Sequence, residues 1–181
     1  ALGVSMDQVA LLNGLDEGIH AVSFAFLQRA EDGSRREAVI VLPAFDMYAA
    51  CAEVASARIV EVMPRPDLSF PLGELLGAVT PATRVVFLAS PNNPTGLAIP
   101  RADIVRVAEA LPAGAVLLLD EAYVDFARES CLDLVEAHPN LVIGRTFAKA
   151  QGLAAVRAGC LAGHAETIAK VRPFLPPYSV N

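Results

Sequence analysis

Basic charge, paired cysteines and long apolar runs are all scarce in this chain of 181 residues, and each scarcity excludes something. Fourteen Lys and Arg against twenty Asp and Glu leave a formal charge of −6. Broad nucleic-acid binding needs a basic face, so no nucleic-acid partner is expected. Any phosphate ligand must then be captured locally, by a few side-chain donors and backbone N–H groups. The three cysteines, Cys51, Cys131 and Cys160, are odd in number and far apart, with no CxxC pair. They read as buried thiols in a reducing compartment, with no metal, and a cytoplasmic location is expected. The longest apolar runs, such as 115–119 and 21–27 broken by Ser23, fall far short of the ~20 residues that a membrane span requires. No basic segment followed by an apolar one opens the chain, so no signal peptide is expected.

What is present is apolar and evenly distributed. Hydrophobic residues make up 54% of the chain and the mean hydropathy is +0.46, which excludes general disorder and points to strands buried on both faces. The length suits one substantial domain with a full core. Apolar runs bounded by turn signals predict strands over 8–12, 37–42, 58–63, 83–89, 115–119, 141–145 and 157–162. Helical spacing predicts helices over 16–29, 47–56, 72–77, 100–111, 131–137 and 165–171. Strands alternate with helices throughout, with no repeat, low-complexity tract or linker. The predicted fold is α/β: a three-layer, doubly wound, mostly parallel sheet with helices on both faces.

The polar candidates stand at the ends of these strands. Asn13-Gly14 turns into a helix opened by Asp16 and Glu17, and such an N-terminus is an anion site when its N–H groups lack partners. The plain alternative is that Asp16 only caps the helix. Phe45, just past the second strand, is either a ring that stacks on a ligand or ordinary core. The loop SPNNPTG at 90–96 is stiff and polar, with more turn formers than a connection needs, and reads as a ligand loop. Asp120 directly follows AVLLL, where open α/β sheets bind ligands, although it could equally cap a turn. Lys149 lies in a loop between two strands, with Arg145, Thr146 and Arg157 around it. It is either solvated charge or, beside a carbonyl cofactor, a Schiff-base amine, provided its surroundings keep it nucleophilic.

Three motifs in order, SPNNPTG at 90–96, DEAYVDF at 120–126 and RTFAKAQGLAAVRAG at 145–159, resemble the fold-type I, pyridoxal-phosphate-dependent aminotransferases of class I/II. Within that family the nearest likeness is to the histidinol-phosphate aminotransferases, supported by NGLDEGI at 13–19, PAFDMY at 43–48 and PPYSVN at 176–181. The resemblance covers nearly the whole chain. It implies that pyridoxal 5'-phosphate is the cofactor, with Lys149 its Schiff-base lysine and proton carrier. It further implies that Asp120 pairs with the pyridine nitrogen, that Asn93 and Tyr123 hydrogen-bond the ring oxygen, and that Phe45 stacks on the ring. The phosphate would lie on backbone N–H groups near Leu15 and Asp16, with Thr146 and Arg157 completing the cup.

The implied reaction moves an amino group between an amino acid, glutamate being the expected donor, and a phosphorylated imidazole keto compound of histidine biosynthesis. Amino-acid and keto-acid substrates are the expected small-molecule partners, with a homodimer for the full-length protein. An aromatic aminotransferase or a threonine-phosphate decarboxylase would share the same residues, and a non-catalytic module on this scaffold is the third alternative. Two positions depart from the family pattern. Ala148 stands where relatives usually carry serine, which weakens one phosphate contact, and Gln151 where an aromatic is common, which puts local packing in doubt. Both ends read as cut, so residues 1–181 are expected to be the cofactor-binding large domain of a longer protein, without the small domain that clamps the substrate carboxylate.

Overall fold

The computed structural model describes residues 3–127 and 129–177. Seven strands form one sheet: β1 (Val9–Asn13), β2 (Glu37–Val41), β3 (Arg58–Val62), β4 (Thr83–Ala89), β5 (Val116–Asp120), β6 (Leu141–Thr146) and β7 (Ala158–Gly163). Their order across the sheet is β1-β7-β6-β5-β4-β2-β3. The pairs β2–β3, β2–β4, β4–β5 and β5–β6 are parallel, and β7 runs antiparallel to both β6 and β1. The expected doubly wound, mostly parallel sheet is what forms.

Alternation along the central strands explains the three layers. Ile40, Phe87, Leu118 and Val142 face one core, while Val39, Leu88, Leu117, Leu119 and Ile143 face the other. Helices α1 (Leu15–Leu27), α2 (Met47–Val54) and α5 (Ala165–Val171) cover the first face, burying Ile19, Val22, Cys51 and Ile168. Helices α3 (Leu72–Ala78) and α4 (Arg101–Ala110) cover the second with Leu75, Ile104 and Val107. Among the described residues no helix is long and apolar enough to cross a membrane. All three cysteines are free and buried, as expected, and burial pushes the Cys131 and Cys160 thiols up to about 11.

Element boundaries differ from expectation in instructive places. The predicted helix over 131–137 is only a 3-10 turn at Leu132–Leu134. Leu134 and Val135 donate three residues back, to the Cys131 and Leu132 carbonyls at 3.0 and 3.5 Å, and Pro139 follows closely, so the segment is too short to propagate an α-helix. The last strand starts at Ala158 because Arg157 has left-handed backbone angles, φ 54° and ψ 35°. The motif at 176–181 lies beyond the described residues from Tyr178 onward.

Candidate active site

The first strand and helix build one wall. Gly14, with φ 82°, turns the chain from β1 into α1, and no side chain caps the helix, so the first-turn N–H groups of Leu15 and Asp16 keep their hydrogen-bonding capacity. The helix comes close to the sheet because residue 159 is glycine. A Cβ there would stand 2.8 Å from the Arg145 carbonyl oxygen and 3.2 Å from the Leu15 nitrogen. A helix N-terminus carries partial positive charge, and here it is delivered to the sheet edge formed by the carboxyl ends of β4, β5 and β6.

The antiparallel strand supplies the second wall. Residues 147–157 connect β6 to β7, pinned at the base by Phe147 N–H to the Ala158 carbonyl (3.0 Å) and folded back by Leu153 N–H to the Phe147 carbonyl (3.0 Å). Lys149 rides exposed on this connection, its Nζ 5.4 Å from the centre of the Tyr123 ring. Thr146 turns its hydroxyl to the Ala148 N–H at 3.3 Å. The return of the chain puts Arg157 at the amino end of β7, the same sheet edge as the other candidates. Its guanidinium lies 3.7 Å from the Asp16 carboxylate, in the space that the missing side chain of Gly14 leaves open. A Cβ on residue 14 would stand 2.7 Å from Arg157 Nη2.

Asp120 ends β5 and is 7% exposed. Its Oδ2 accepts the Tyr48 hydroxyl at 2.7 Å and its Oδ1 the Ala122 N–H at 2.8 Å. Burial pushes its carboxyl above the ordinary carboxylate range, only partly offset by these two donors. Among the described residues no cation pairs with it. The sequence reading assigned no role to Tyr48, which is fully buried and stacked on Phe87 with centroids 5.3 Å apart. Burial and the neighbouring carboxylate push the Tyr48 phenol strongly upward, so it remains a donor. The available signals were its place at the end of PAFDMY and three residues after Phe45, a helical spacing that also describes plain core.

Nine of the residues singled out line one cavity of about 170 Å³: Leu15, Asp16, Phe45, Asn93, Asp120, Tyr123, Thr146, Lys149 and Arg157, with Tyr48 and Ala148 beside them; Arg145 is not among its lining residues. The two asparagines of the 90–96 loop divide their work. Asn92 donates to the Pro43 carbonyl at 3.0 Å and to Thr95 at 3.1 Å, which ties the loop down, while Asn93 faces the cavity. A larger cavity of about 480 Å³ opens beside it, sharing Tyr48 and Ala89, but no Lys, Arg or His lines it. It offers a phosphate no cation, and the smaller cavity gathers the candidate site residues.

This donor set fits the cofactor that the resemblance implies. A buried carboxylate without a counter-cation suits a ring N–H, the uncapped α1 N-terminus with Arg157 suits a phosphate, and Lys149 lines the same cavity. Ala148 lines the cavity without a hydroxyl, so its N–H and Thr146 are the polar groups at that corner. Gln151 is exposed and bonds Asp125 at 2.9 Å, so no core packing depends on it.

Comparison with known proteins identifies the family. The profile of the family described as aminotransferase class I and II matches residues 2–181. A histidinol-phosphate aminotransferase of Thermococcus gammatolerans is 40% identical over 179 residues, covering 99% of this chain and 49% of that protein. An aromatic amino acid aminotransferase of Nocardia farcinica is 36% identical over 186 residues, covering 99% and 51%. Among solved structures, a histidinol-phosphate aminotransferase from Sinorhizobium meliloti, in complex with pyridoxal-5'-phosphate, aligns with a TM-score of 0.83 and 30% identity over 95% of this chain and 46% of that one. The chain spans about half the length of these relatives. It belongs to the class I and II aminotransferase family.

Proposed function

We propose that the full-length protein is a pyridoxal-phosphate-dependent aminotransferase of histidine biosynthesis, exchanging an amino group between glutamate and the phosphorylated imidazole pair histidinol phosphate and imidazole acetol phosphate. The observation that carries the cofactor part is the buried, cation-free Asp120 across one cavity from Lys149 and the uncapped α1 N-terminus. The substrate part is supported by relatives of that name at 36–46% identity. Bound pyridoxal phosphate supplies a carbonyl for amines and a protonated ring that accepts electron density. Leu15 and Asp16 hold the phosphate through their N–H groups, with Thr146 and Arg157. Asp120, kept in place by Tyr48, holds the proton on the ring nitrogen, and Asn93 and Tyr123 orient the ring oxygen while Phe45 covers its face. Lys149 Nζ carries the proton to and from the substrate Cα.

We place the enzyme in the cytoplasm as a homodimer, with residues 1–181 as its large domain. Reduction with borohydride in the presence of pyridoxal phosphate, followed by peptide mapping, should put a pyridoxyl label on Lys149; a label elsewhere or none refutes the cofactor assignment. The second reading, an aromatic aminotransferase, is favoured by the Nocardia farcinica relative. A donor and acceptor screen on the full-length protein separates the two. Turnover of phenylalanine without turnover of histidinol phosphate would move the assignment to the aromatic class.

A further inference from the structure

A second polar cluster lies on the opposite side of the strand ends from the cavity. Neighbouring residues of a strand point to opposite faces, and the β5–β6 register pairs Asp120 with Gly144. Asp120 and Thr146 line the cavity. Glu121 and Arg145, one step along each chain, meet on the other side. Arg145 Nε lies 2.9 Å from Glu121 Oε2, in a pair whose side chains are 15% and 2% exposed. Arg145 Nη2 donates to the Ser130 hydroxyl at 2.9 Å, and that hydroxyl donates to Glu121 Oε2 at 2.8 Å. Glu121 Oε1 accepts the Cys131 N–H at 2.6 Å.

The cluster reaches the lysine loop through one more residue. Arg145 Nη1 is 4.0 Å from Asp125 Oδ1, and Asp125 Oδ2 accepts the Gln151 amide at 2.9 Å. Gln151 is two residues past Lys149. It lies in the turn that the Gly152 N–H closes on the Lys149 carbonyl at 3.1 Å. The 147–157 connection is otherwise exposed and held mainly by its own backbone turns. The Gln151–Asp125 bond therefore ties it laterally to the segment that carries Asp120 and Tyr123, beside the Lys149–Tyr123 ring contact.

We propose that Arg145 is a positioning residue: its guanidinium braces Glu121, Ser130 and Asp125 and, through Gln151, sets where the Lys149 loop stands relative to Asp120 and Tyr123. The consequence for turnover rests on the cofactor reading above. A planar fork is required, since a lysine ammonium is a single point and cannot span two carboxylates and a hydroxyl. Arg145→Lys keeps a charge beside Glu121 but loses the fork, so the loop and the segment at 121–131 lose their common anchor.

The test uses the full-length protein and two variants, Arg145→Lys and the exposed Gln151→Ala. In cofactor-free protein, amide hydrogen exchange over 147–157 is expected to rise about tenfold in Arg145→Lys and about threefold in Gln151→Ala, with β5 and β6 unchanged. Misplacing a reacting group by ~1 Å costs up to about a hundredfold. With pyridoxal phosphate added, borohydride labelling of Lys149 should therefore slow at least tenfold in Arg145→Lys, and kcat should fall similarly with KM within about threefold. Unchanged loop exchange in both variants overturns the proposal. So does exchange that rises in β5 and β6 as much as in the loop, which marks a merely structural pair. If Arg145→Lys does not fold, Gln151→Ala decides alone by the same criterion. A wild-type protein that takes no label on Lys149 refutes the cofactor reading, while loop exchange still decides the brace.

Discussion

Replacing Tyr48 by phenylalanine removes one hydroxyl from the most buried part of the site. That hydroxyl donates to Asp120 Oδ2 at 2.7 Å, with Tyr48 1% and Asp120 7% exposed. A hydrogen bond to a charged group contributes about 1.5–3 kcal/mol, equivalent to about one to two pKa units on the acid. The bond favours the ionised form, so its loss raises the Asp120 pKa further above the unfolded value of 3.8. A carboxyl raised on folding binds more protons folded than unfolded, so its ionisation costs stability as pH rises from 3.8 to the folded pKa. The gap between wild type and Tyr48→Phe should therefore be small at pH 3, widen between the folded pKa of the wild type and the higher one of the variant, and be constant above both. Unfolding of cofactor-free wild type, Tyr48→Phe, Asp120→Asn and the double variant, at pH 3 and pH 8, closes a double-mutant cycle. Since a neutral hydrogen bond remains in Asp120→Asn, the expected coupling is about 1–2 kcal/mol at pH 8. Coupling below ~0.5 kcal/mol at pH 8, or coupling equal at both pH values, refutes the argument.

Three further outcomes follow from the same geometry. Asp120→Asn should stabilise the cofactor-free protein at pH 8 by removing a buried charge, raising Tm by a few degrees in a thermal scan, while slowing transamination by about 10²–10³. Gly159→Ala forces a Cβ to within 2.8 Å of the Arg145 carbonyl and 3.2 Å of the Leu15 nitrogen, both backbone atoms that cannot swing away. It should cost about 1–3 kcal/mol in urea unfolding and weaken phosphate capture by pushing α1 back. Arg157→Met should lower pyridoxal-phosphate affinity about tenfold and flatten its salt dependence by calorimetry, because one cation leaves a half-exposed anion site.

The strands and both cores were legible because their signal is local: β4 and β5 are runs of Val, Leu and Phe that only a sheet buried on both sides can hold. The candidate site was legible because its residues stand at strand ends, and a parallel sheet gathers those ends at one edge whatever the strand order. Three features were not legible. Tyr48 reads as helix core until the fold brings it 2.7 Å from a residue 72 positions away. The segment 131–137 has helical spacing, yet Leu134 and Val135 bond three residues back and the 3-10 turn stops there, a choice between turn types that spacing alone does not contain. The pairing of Glu121 with Arg145 needs the β5–β6 register, which periodicity does not contain.

By itself the sequence determined the α/β alternation, the absence of a membrane helix among the described residues, and which polar side chains stand at strand ends, since each follows from composition and short-range spacing. Only the tertiary structure decided the antiparallel return of β7, the burial of Asp120 against Tyr48, and the approach of an uncapped helix to Gly159. Those depend on which strands become neighbours, and neighbour choice is a property of the packed sheet rather than of any one stretch of chain.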